Sequence, residues 1–373
     1  MLKRLQVKNF TVFGEADFAF GPGLNVVVGT NGTGKSHVLK LGYAVLNNLA
    51  GRSQEQGIEM QFPYVAGRSN SLTKYQKEGW YLGDTLTMVF QTSILRADSL
   101  IRRGSQQPAL IEYTIADEPS ITGHLGFTVG GSGAGEMLDD RTKNYLKQYL
   151  VAPVFIPAKE ILTLSWMLQA SSQLKLPIEE NLLELLVQLN RLPLQQHTTS
   201  AQTALDLLSQ VLGGEVEAEG NHFHLAIPGQ RPLEMQLLAE GLRKFGTLQR
   251  LLANGSLTKN ATLFWDEPEA NLNPALLKKL AAVLAALARQ GFQIILATHS
   301  LFLLKQLHIL SREKAETPLP IRYFGLTARP GEPTQVVMKE DFEHLPDIVA
   351  LDEELEQADA LTLVFAQDDA GNR

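Results

Sequence analysis

The stretch Gly29-Thr30-Asn31-Gly32-Thr33-Gly34-Lys35-Ser36 satisfies the pattern G-x-x-x-x-G-K-[ST] at every fixed position. Glycines there let backbone N–H groups close around phosphate oxygens with no Cβ in the way. A helix starting at the end of the loop adds the positive end of its dipole. Lys35 then reaches the outer phosphates and serves the reaction, while Ser36 offers a hydroxyl ligand to Mg²⁺. The stretch predicts a nucleoside triphosphate site built from Gly29, Thr30, Asn31, Gly32, Thr33, Gly34, Lys35, Ser36 and His37, with ATP and Mg²⁺ as its cofactors.

A second chemical group lies far along the chain. Ala261-Thr262-Leu263-Phe264-Trp265 reads as a buried strand ending in Asp266-Glu267. An acidic pair at the end of a strand beside the phosphate-loop strand places Asp266 on Mg²⁺ and Glu267 against the attacking water. The alternative is a pair that caps the following helix, where Asn273-Pro274 supplies an N-cap and first helical residue. Behind a phosphate loop the catalytic reading takes precedence. Thr298-His299-Ser300 leaves the end of another buried strand, Phe292 to Ala297, where ligands bind in open α/β sheets.

The elements that must hold these groups follow from periodicity. Leu24 to Val28 is a β-branched strand entering the loop, and His37 to Leu49 is the helix leaving it. Residues 5–20 form two antiparallel strands, in which Phe10 or Phe13 either stacks on a purine or packs in the core. Residues 51–83 read as a surface loop. Strands are expected at Thr85–Phe90, Leu110–Ile115 and His124–Val129, with a helical stretch at Ser99–Arg103. Gly130 to Gly135 is a linker, with no Lys-Ser after it. Val151–Ile156 is a strand stopped by Pro157. From Ile161 to Leu212 the chain turns helical, with Ile178, Leu182, Leu185, Leu186 and Leu189 on one face and Glu179, Glu180 and Glu184 mostly off it. Glu215 to Ile227 is a hairpin about Glu219-Gly220-Asn221 that puts His222 and His224 on one side, as metal ligands or as surface residues. A helix fills Pro274–Gln290. Strands follow at Ile321–Leu326 and Gln335–Met338, then a terminal helix whose Asp352, Glu353, Glu354 and Glu356 read as a solvated acidic surface.

Composition sets outer bounds. The chain has 373 residues, 44% hydrophobic and 20% charged, enough for a large core. A formal charge of −7 opposes a protein that coats nucleic acid, though it leaves a local basic groove open. Without cysteine there are no disulfides and no thiolate metal sites. The N-terminal residues lack a signal-peptide core, and Leu280–Ala288 falls short of the roughly 20 residues of a membrane span. A cytoplasmic protein with no membrane partner is expected.

Taken together, Gly29–Ser36, Phe264-Trp265-Asp266-Glu267-Pro268, Glu269-Ala270-Asn271-Leu272-Asn273-Pro274 and Thr298-His299-Ser300 resemble the Walker A, Walker B, D-loop and switch-histidine motifs of ABC-type ATPases. The branch resembled is that of the RecF, SMC and OLD-like proteins, with Asn9-Phe10 as its early Asn-Phe step. Leu238-Ala239-Glu240-Gly241-Leu242-Arg243-Lys244 stands at the signature motif, with Ala239 in place of the usual serine. Val154 to Glu160 stands near the Q-loop, where no glutamine is evident and Gln91 is the alternative.

The resemblance implies an α/β fold, an ABC-type head with a mixed sheet, an antiparallel N-terminal lobe and an inserted helical lobe. Its expected domains are 1–160, 161–212, 213–310 and 311–373. It also implies ATP hydrolysis with Glu267, His299 and Lys35 catalytic. Glu240, Gly241 and Asn271 would join the nucleotide site, and the head would form a homodimer around two ATP molecules. The inserted region is too short and proline-broken for an SMC arm, and the remainder after His299 is too short for an OLD-type TOPRIM nuclease. That points to control of a separately encoded nuclease or toxin, as in bacterial anti-phage systems. A RecF-like DNA-binding clamp or a protein-only switch is the alternative; Arg102-Arg103 and Arg243-Lys244 are the clusters for any DNA contact, although solvated surface pairs are the ordinary reading of both.

Overall fold

Leu24, Val26, Val27 and Val28 are all buried, so the strand entering the phosphate loop is covered on both faces. The computed structural model describes residues 1–53, 82–92, 97–115, 121–128, 134–135, 140–168, 170, 178–219, 222–345, 356–357 and 359–364. The Gly130–Gly133 part of the linker, most of the 51–83 loop, Gly220-Asn221 and Asp352–Glu354 lie outside the described residues.

The N-terminal strands are β1 (Leu2–Phe10), β2 (Phe13–Ala19) and β3 (Leu24–Gly29), followed by helix α1 (Lys35–Ser53). Next come α2 (Leu82–Val89), β4 (Ala109–Ile115), β5 (Ile121–Phe127), β6 (Ala134–Gly135), α3 (Asp140–Tyr149) and β7 (Val154–Ile156). The inserted region holds α4 (Glu180–Leu189) and α5 (Thr199–Leu212), then β8 (Glu215–Glu219), β9 (His222–Ala226) and β10 (Leu233–Glu234). The chain continues through α6 (Glu240–Ala253), β11 (Thr262–Asp266), α7 (Pro274–Arg289), β12 (Gln293–Thr298), α8 (Leu301–Arg312), β13 (Ile321–Thr327) and β14 (Gln335–Lys339).

The main sheet is six-stranded, in the order β14-β13-β3-β12-β11-β7, parallel except for edge strand β14. Alternation of period two divides its core. Leu24, Val26, Leu263, Trp265, Ile294 and Leu296 pack against helices α4 to α8. Val27, Phe264, Ile295, Ala297 and Phe324 pack against α1 and the antiparallel sheet β2-β1-β4-β5-β6. A small antiparallel sheet, β10-β9-β8, follows the inserted helices.

Buried amides sew the lobes together. Gln293 donates to the carbonyls of Leu2 (2.7 Å) and Gly21 (3.1 Å), and its oxygen accepts from Leu2 N and the Thr262 hydroxyl. Asn25 bonds the Gly21 backbone in both directions. Every polar atom in this dry junction that finds a partner avoids a desolvation cost of about 1–3 kcal/mol.

Three expectations are corrected. Thr85–Phe90 is not a strand: α2 buries Leu82, Leu86 and Val89, the i, i+4, i+7 spacing of a helix packed on α1. The Ser99–Arg103 stretch is only a short 3₁₀ turn over Ala97–Leu100, after which Ile101 bridges to Phe10. β11 does not adjoin β3, because β12 lies between them. The other strands and the Pro274 helix form within a residue or a few of their expected positions. Asn273 caps the latter through its side chain to Leu276 N at 2.9 Å.

The acidic start of α4 faces α1 rather than solvent. Lys40 Nζ lies 3.0 Å from Glu179 Oε2, and Asn47 donates to Glu180 Oε1 at 3.4 Å. Glu180 Oε2 is buried with no partner among the described residues. Burial first, then the neighbouring Glu184, pushes the Glu180 carboxyl up from the ordinary 4.5 to about 7. A raised folded-state value means that proton binding favours the fold, fully below 4.5, and that this contribution is lost as pH rises through about 7. The melting temperature should therefore fall between about pH 5 and about pH 8, and Glu180→Gln should flatten that slope and raise stability at its upper end. Melts followed by circular dichroism check this, and a slope unchanged in the variant would assign it to other groups.

Candidate active site

Positive φ is what the phosphate loop demands of its glycines. Gly32 and Gly34 adopt φ of 84° and 96°. A Cβ on Gly34 would sit 2.6 Å from Val12 Cγ2 and 2.8 Å from Phe13 Cζ, so the β1–β2 hairpin presses directly on the loop. Phe10 and Phe13 are both fully buried, in edge contact with Phe90 and Phe18, and belong to the core rather than to a base-stacking face. Thr30, Asn31 and Gly32 are exposed, whereas Thr33 donates its hydroxyl to the Thr30 carbonyl at 2.9 Å. Lys35, only 6% exposed, donates to the carbonyls of Gly29 (2.8 Å) and Thr30 (3.0 Å). Burial pulls its ammonium below the usual lysine range, opposed by Glu267, Asp266 and Glu269. The His37 ring packs on Phe90, which leaves its backbone N–H as the group available to phosphate.

Sheet register brings the second group alongside. Val28 pairs with Thr298, and Ala297 with Asp266, so β3, β12 and β11 end level with one another. Burial pushes the Asp266 carboxyl up, and the nearby Ser36 hydroxyl opposes that shift. Asp266 Oδ1 is buried without a hydrogen-bond partner among the described residues, an orphaned anionic oxygen that fits a hard cation such as Mg²⁺.

Glu267 holds a left-handed backbone, φ 45°, unusual for a residue with a side chain. Its N–H donates to the Ala297 carbonyl at 2.9 Å, and its own carbonyl accepts from Ala270 N and from Lys244 Nζ. In that pose Glu267 Oε1 lies 3.4 Å from His299 Nδ1. Backbone strain of this kind, held by neighbours, marks positions where a side chain must be aimed.

Glu269 and Lys244 carry more of the site than sequence indicates. Glu269 is buried, accepting the Thr298 hydroxyl at 2.6 Å and the His299 N–H at 3.1 Å, with the His299 ring 3.7 Å away. Lys244 is 3% exposed, and burial depresses its ammonium against the pull of Glu269, Glu240, Glu267 and Asp266. Arg243 donates to the carbonyls of Leu238 and Gln236 and to Glu160 Oε2, fixing the approach to α6. Thus Arg243 and Lys244 are internal struts, not the solvated surface pair expected. The only sequence signal was their place one helical turn into an apolar helix.

At the start of α6, Ala239 provides no side-chain cap, and Ala239 and Glu240 are exposed. Glu240 Oε1 accepts from Asn271 Nδ2 at 2.8 Å, and a Cβ on Gly241 would strike the Asn271 carbonyl. The signature and D-loop residues are therefore in contact within the chain, some way along the surface from Lys35. His222 and His224 pair across β8 with Glu219 and Glu217, and His224 Nε2 lies 3.3 Å from Glu217. Gln91 follows α2 with φ 47°.

Two family models match the chain. One, described as "AAA domain, putative AbiEii toxin, Type IV TA system", covers residues 130–305, and the other, described as "AAA domain", covers residues 4–58. No curated protein matches. Among solved structures, the chain is similar to the SMC head domain from Thermotoga maritima, with 17% identity, a TM-score of 0.50, and 91% of this chain and 99% of that one covered. It is also similar to an Smc head bound to the C-winged helix domain of ScpA, at 14% identity and TM-score 0.56, covering 92% and 98%. A third is the Pyrococcus furiosus Smc head with an extended coiled coil bound to the C-terminal domain of ScpA, at 12% identity and TM-score 0.54, covering 97% and 99%. The chain has the fold of the SMC head domains.

Gly34→Ala should strain the loop twice, through its φ and through contact with Val12 and Phe13, at a cost of about 1–3 kcal/mol. Gly32→Ala meets no atom within 4 Å, so its cost should be that of φ alone. Thermal melts of the two variants without nucleotide should rank Gly34→Ala the less stable. An equal loss in both would remove the hairpin from the account.

Proposed function

We propose that this chain is a Mg²⁺-dependent ATPase whose heads dimerise around ATP and control a separately encoded effector. The observation that carries the ATPase reading is the meeting of Ser36 with Asp266 and of Glu267 with His299 at one end of the sheet. Gly29 to His37 cradle the phosphates through backbone N–H groups, and Lys35 shifts from loop carbonyls to the outer phosphates. Ser36 and Asp266 would hold Mg²⁺, which offsets phosphate charge when bound. Glu267 accepts a proton from water as the water oxygen bonds to the γ-phosphorus. The bond from that phosphorus to the β–γ bridging oxygen breaks, and ADP and phosphate leave. His299, held between Glu267 and Glu269, orients the Glu267 carboxylate and faces the γ-phosphate.

Dimerisation follows from what α6 offers. Its start has no side-chain cap and is exposed at Ala239 and Glu240, so its backbone N–H groups would suit the γ-phosphate of ATP held by a second copy. Asn271, bonded to Glu240, would complete that composite site. ATP binding then favours the closed pair and hydrolysis releases it.

An effector of nuclease or toxin chemistry, in anti-phage defence within a cytoplasm, is the reading that the toxin–antitoxin description of the matching family supports. A RecF-like role on DNA is the second reading. It loses the Arg243-Lys244 cluster to internal bonds, which leaves Arg102-Arg103 of the two clusters named for it.

Lys35→Ala should abolish ATP binding in equilibrium titrations. Glu267→Gln should retain binding, lower turnover by at least about 100-fold, and accumulate an ATP-dependent dimer in light scattering. A Glu267→Gln chain that stays monomeric with ATP would sink the sandwich but leave the ATPase, whereas wild-type turnover in that variant would remove Glu267 from the chemistry. Co-purification of the variant with its neighbouring gene products separates the roles. A stoichiometric protein supports the effector, and salt-sensitive DNA without protein supports the clamp.

A further inference from the structure

Helix α8 begins just after His299 and ends far from the nucleotide loop, and at that far end lies a group the ATPase reading does not use. α8 buries Leu301, Leu303, Leu304 and Leu307, and turns His308 toward the segment that follows β14. There Asp341 starts a short 3₁₀ turn, Phe342–His344, by accepting the Glu343 N–H at 3.1 Å. Phe342 is buried, its ring 5.7 Å from that of His308 and 6.2 Å from that of Tyr323. This packing anchors the turn so that two carboxylates meet one imidazole. His308 Nδ1 lies 3.6 Å from Asp341 Oδ1, and His308 Nε2 lies 3.2 Å from Glu343 Oε1. One ligand atom from each of the three residues lies within 4.8 Å of the other two. Arg312 pairs with the remaining oxygen, Asp341 Oδ2.

A second, independent observation points to a ligand. The Tyr323 hydroxyl, on β13, is 1% exposed and has no hydrogen-bond partner among the described residues. Its ring lies 6.2 Å from that of Phe342, the residue between Asp341 and Glu343, and Asp341 and Arg312 are the charges near enough to act on it. A buried phenol normally finds a partner, and a metal-bound water or a ligating carboxylate would supply one. Access exists as well: a cavity of about 550 Å³, lined in part by Ser311, Arg312, Arg322, Glu340 and Asp341, opens beside the cluster.

We propose that His308, Asp341 and Glu343 form a metal site for a transition metal of the Zn²⁺ type, tying the end of α8 to the segment after β14. One imidazole with two carboxylates matches Zn²⁺ better than Mg²⁺ or Ca²⁺, which favour all-oxygen sets. Glu343 is 65% exposed and free to close the small remaining distance to metal–oxygen contact, about 2.0–2.2 Å. Three protein ligands would leave an open position for water. The site is separate from Ser36 and Asp266, so it stands or falls apart from the ATPase reading. The ordinary alternative is a histidine ion-paired to two carboxylates, and such a cluster takes up no metal.

The test uses the full chain, stripped with chelator, carrying Asp266→Asn to silence the nucleotide-side cation position. Zn²⁺ titrated against a chromophoric chelator should bind at one equivalent and survive a large excess of Mg²⁺. Added Glu343→Gln or His308→Gln should weaken it at least about tenfold, while His222→Gln leaves it unchanged. Zn²⁺ should raise the melting temperature of the Asp266→Asn chain and not that of its Glu343→Gln derivative. Should His308→Gln fail to fold, the exposed Glu343 position still decides. No Zn²⁺ uptake, or uptake indifferent to Glu343→Gln, overturns the proposal.

Discussion

Two buried lysines approach the same carboxylates from opposite faces of one sheet. Lys35 comes from α1, on the side of the antiparallel lobe, and Lys244 from α6, on the side of the helical layer. Between them lie Asp266, Glu267 and Glu269. Each ion would be costly in isolation, by several kcal/mol, and becomes tolerable only because opposite charge and backbone carbonyls surround it. The arrangement is therefore cooperative. Withdraw either lysine and the carboxylates lose a compensating charge; withdraw a carboxylate and each ammonium keeps its carbonyl partners but loses opposing charge. Phosphate loop, acidic strand end and signature helix are bound to one electrostatic balance, and the fold around them has to hold three elements in fixed relation.

Sheet register meets that requirement. Gly29, Asp266 and Thr298 end level because β3, β12 and β11 are paired in parallel register, each buried on both faces. A slip of one residue would turn Val27 and Ile295 into the wrong layer, so hydrophobic packing enforces the chemistry's geometry. The Gln293 and Asn25 amides add direction to that packing, since their partners lie on β1, on β11 and in the turn before β3. β13 and β14 extend the same sheet beyond β3 and place Leu326 against Gly29, where a Cβ would meet the Leu326 carbonyl at 2.6 Å.

How much of this was legible depended on the range of the interaction. The Gly29–Ser36 loop is local: its glycines, lysine and serine lie within eight residues, so pattern alone placed the strand, loop and helix that the structure shows. The Asn273-Pro274 helix start and the β-branched strands were equally local. What failed needed a partner from elsewhere. α2 looked like a strand because its threonines and valine favour extended backbone, yet packing on α1 selected the helical spacing. Glu180 looked solvated because an acidic residue at a helix start usually is, and only the approach of Asn47 makes it a buried carboxyl. Lys244 looked like surface charge, although its acceptor, the Glu267 carbonyl, is 23 residues distant. The position of β12 between β3 and β11 is a property of chain crossings that no single stretch encodes.

Contact between the signature and D-loop residues within one chain gives the proposed dimer a physical route from nucleotide to interface. Glu267 and Lys244 share a hydrogen bond, Lys244 lies one turn into α6, and the start of α6 holds Asn271 through Glu240. Asn271 itself has φ 63°, a left-handed conformation that the Glu240 bond helps to hold. In the proposed dimer, a nucleotide that draws Lys35 away from the loop carbonyls would alter the balance at the carboxylates that Lys35 and Lys244 share, and Lys244 sits on the helix whose N-terminus would meet the second copy. Ala239 offers no hydroxyl there, so the proposed contact would rest on backbone N–H groups. Backbone donors are held by the helix itself, which makes their aim depend on where α6 sits. That dependence is what the struts from Lys244 and Arg243 control.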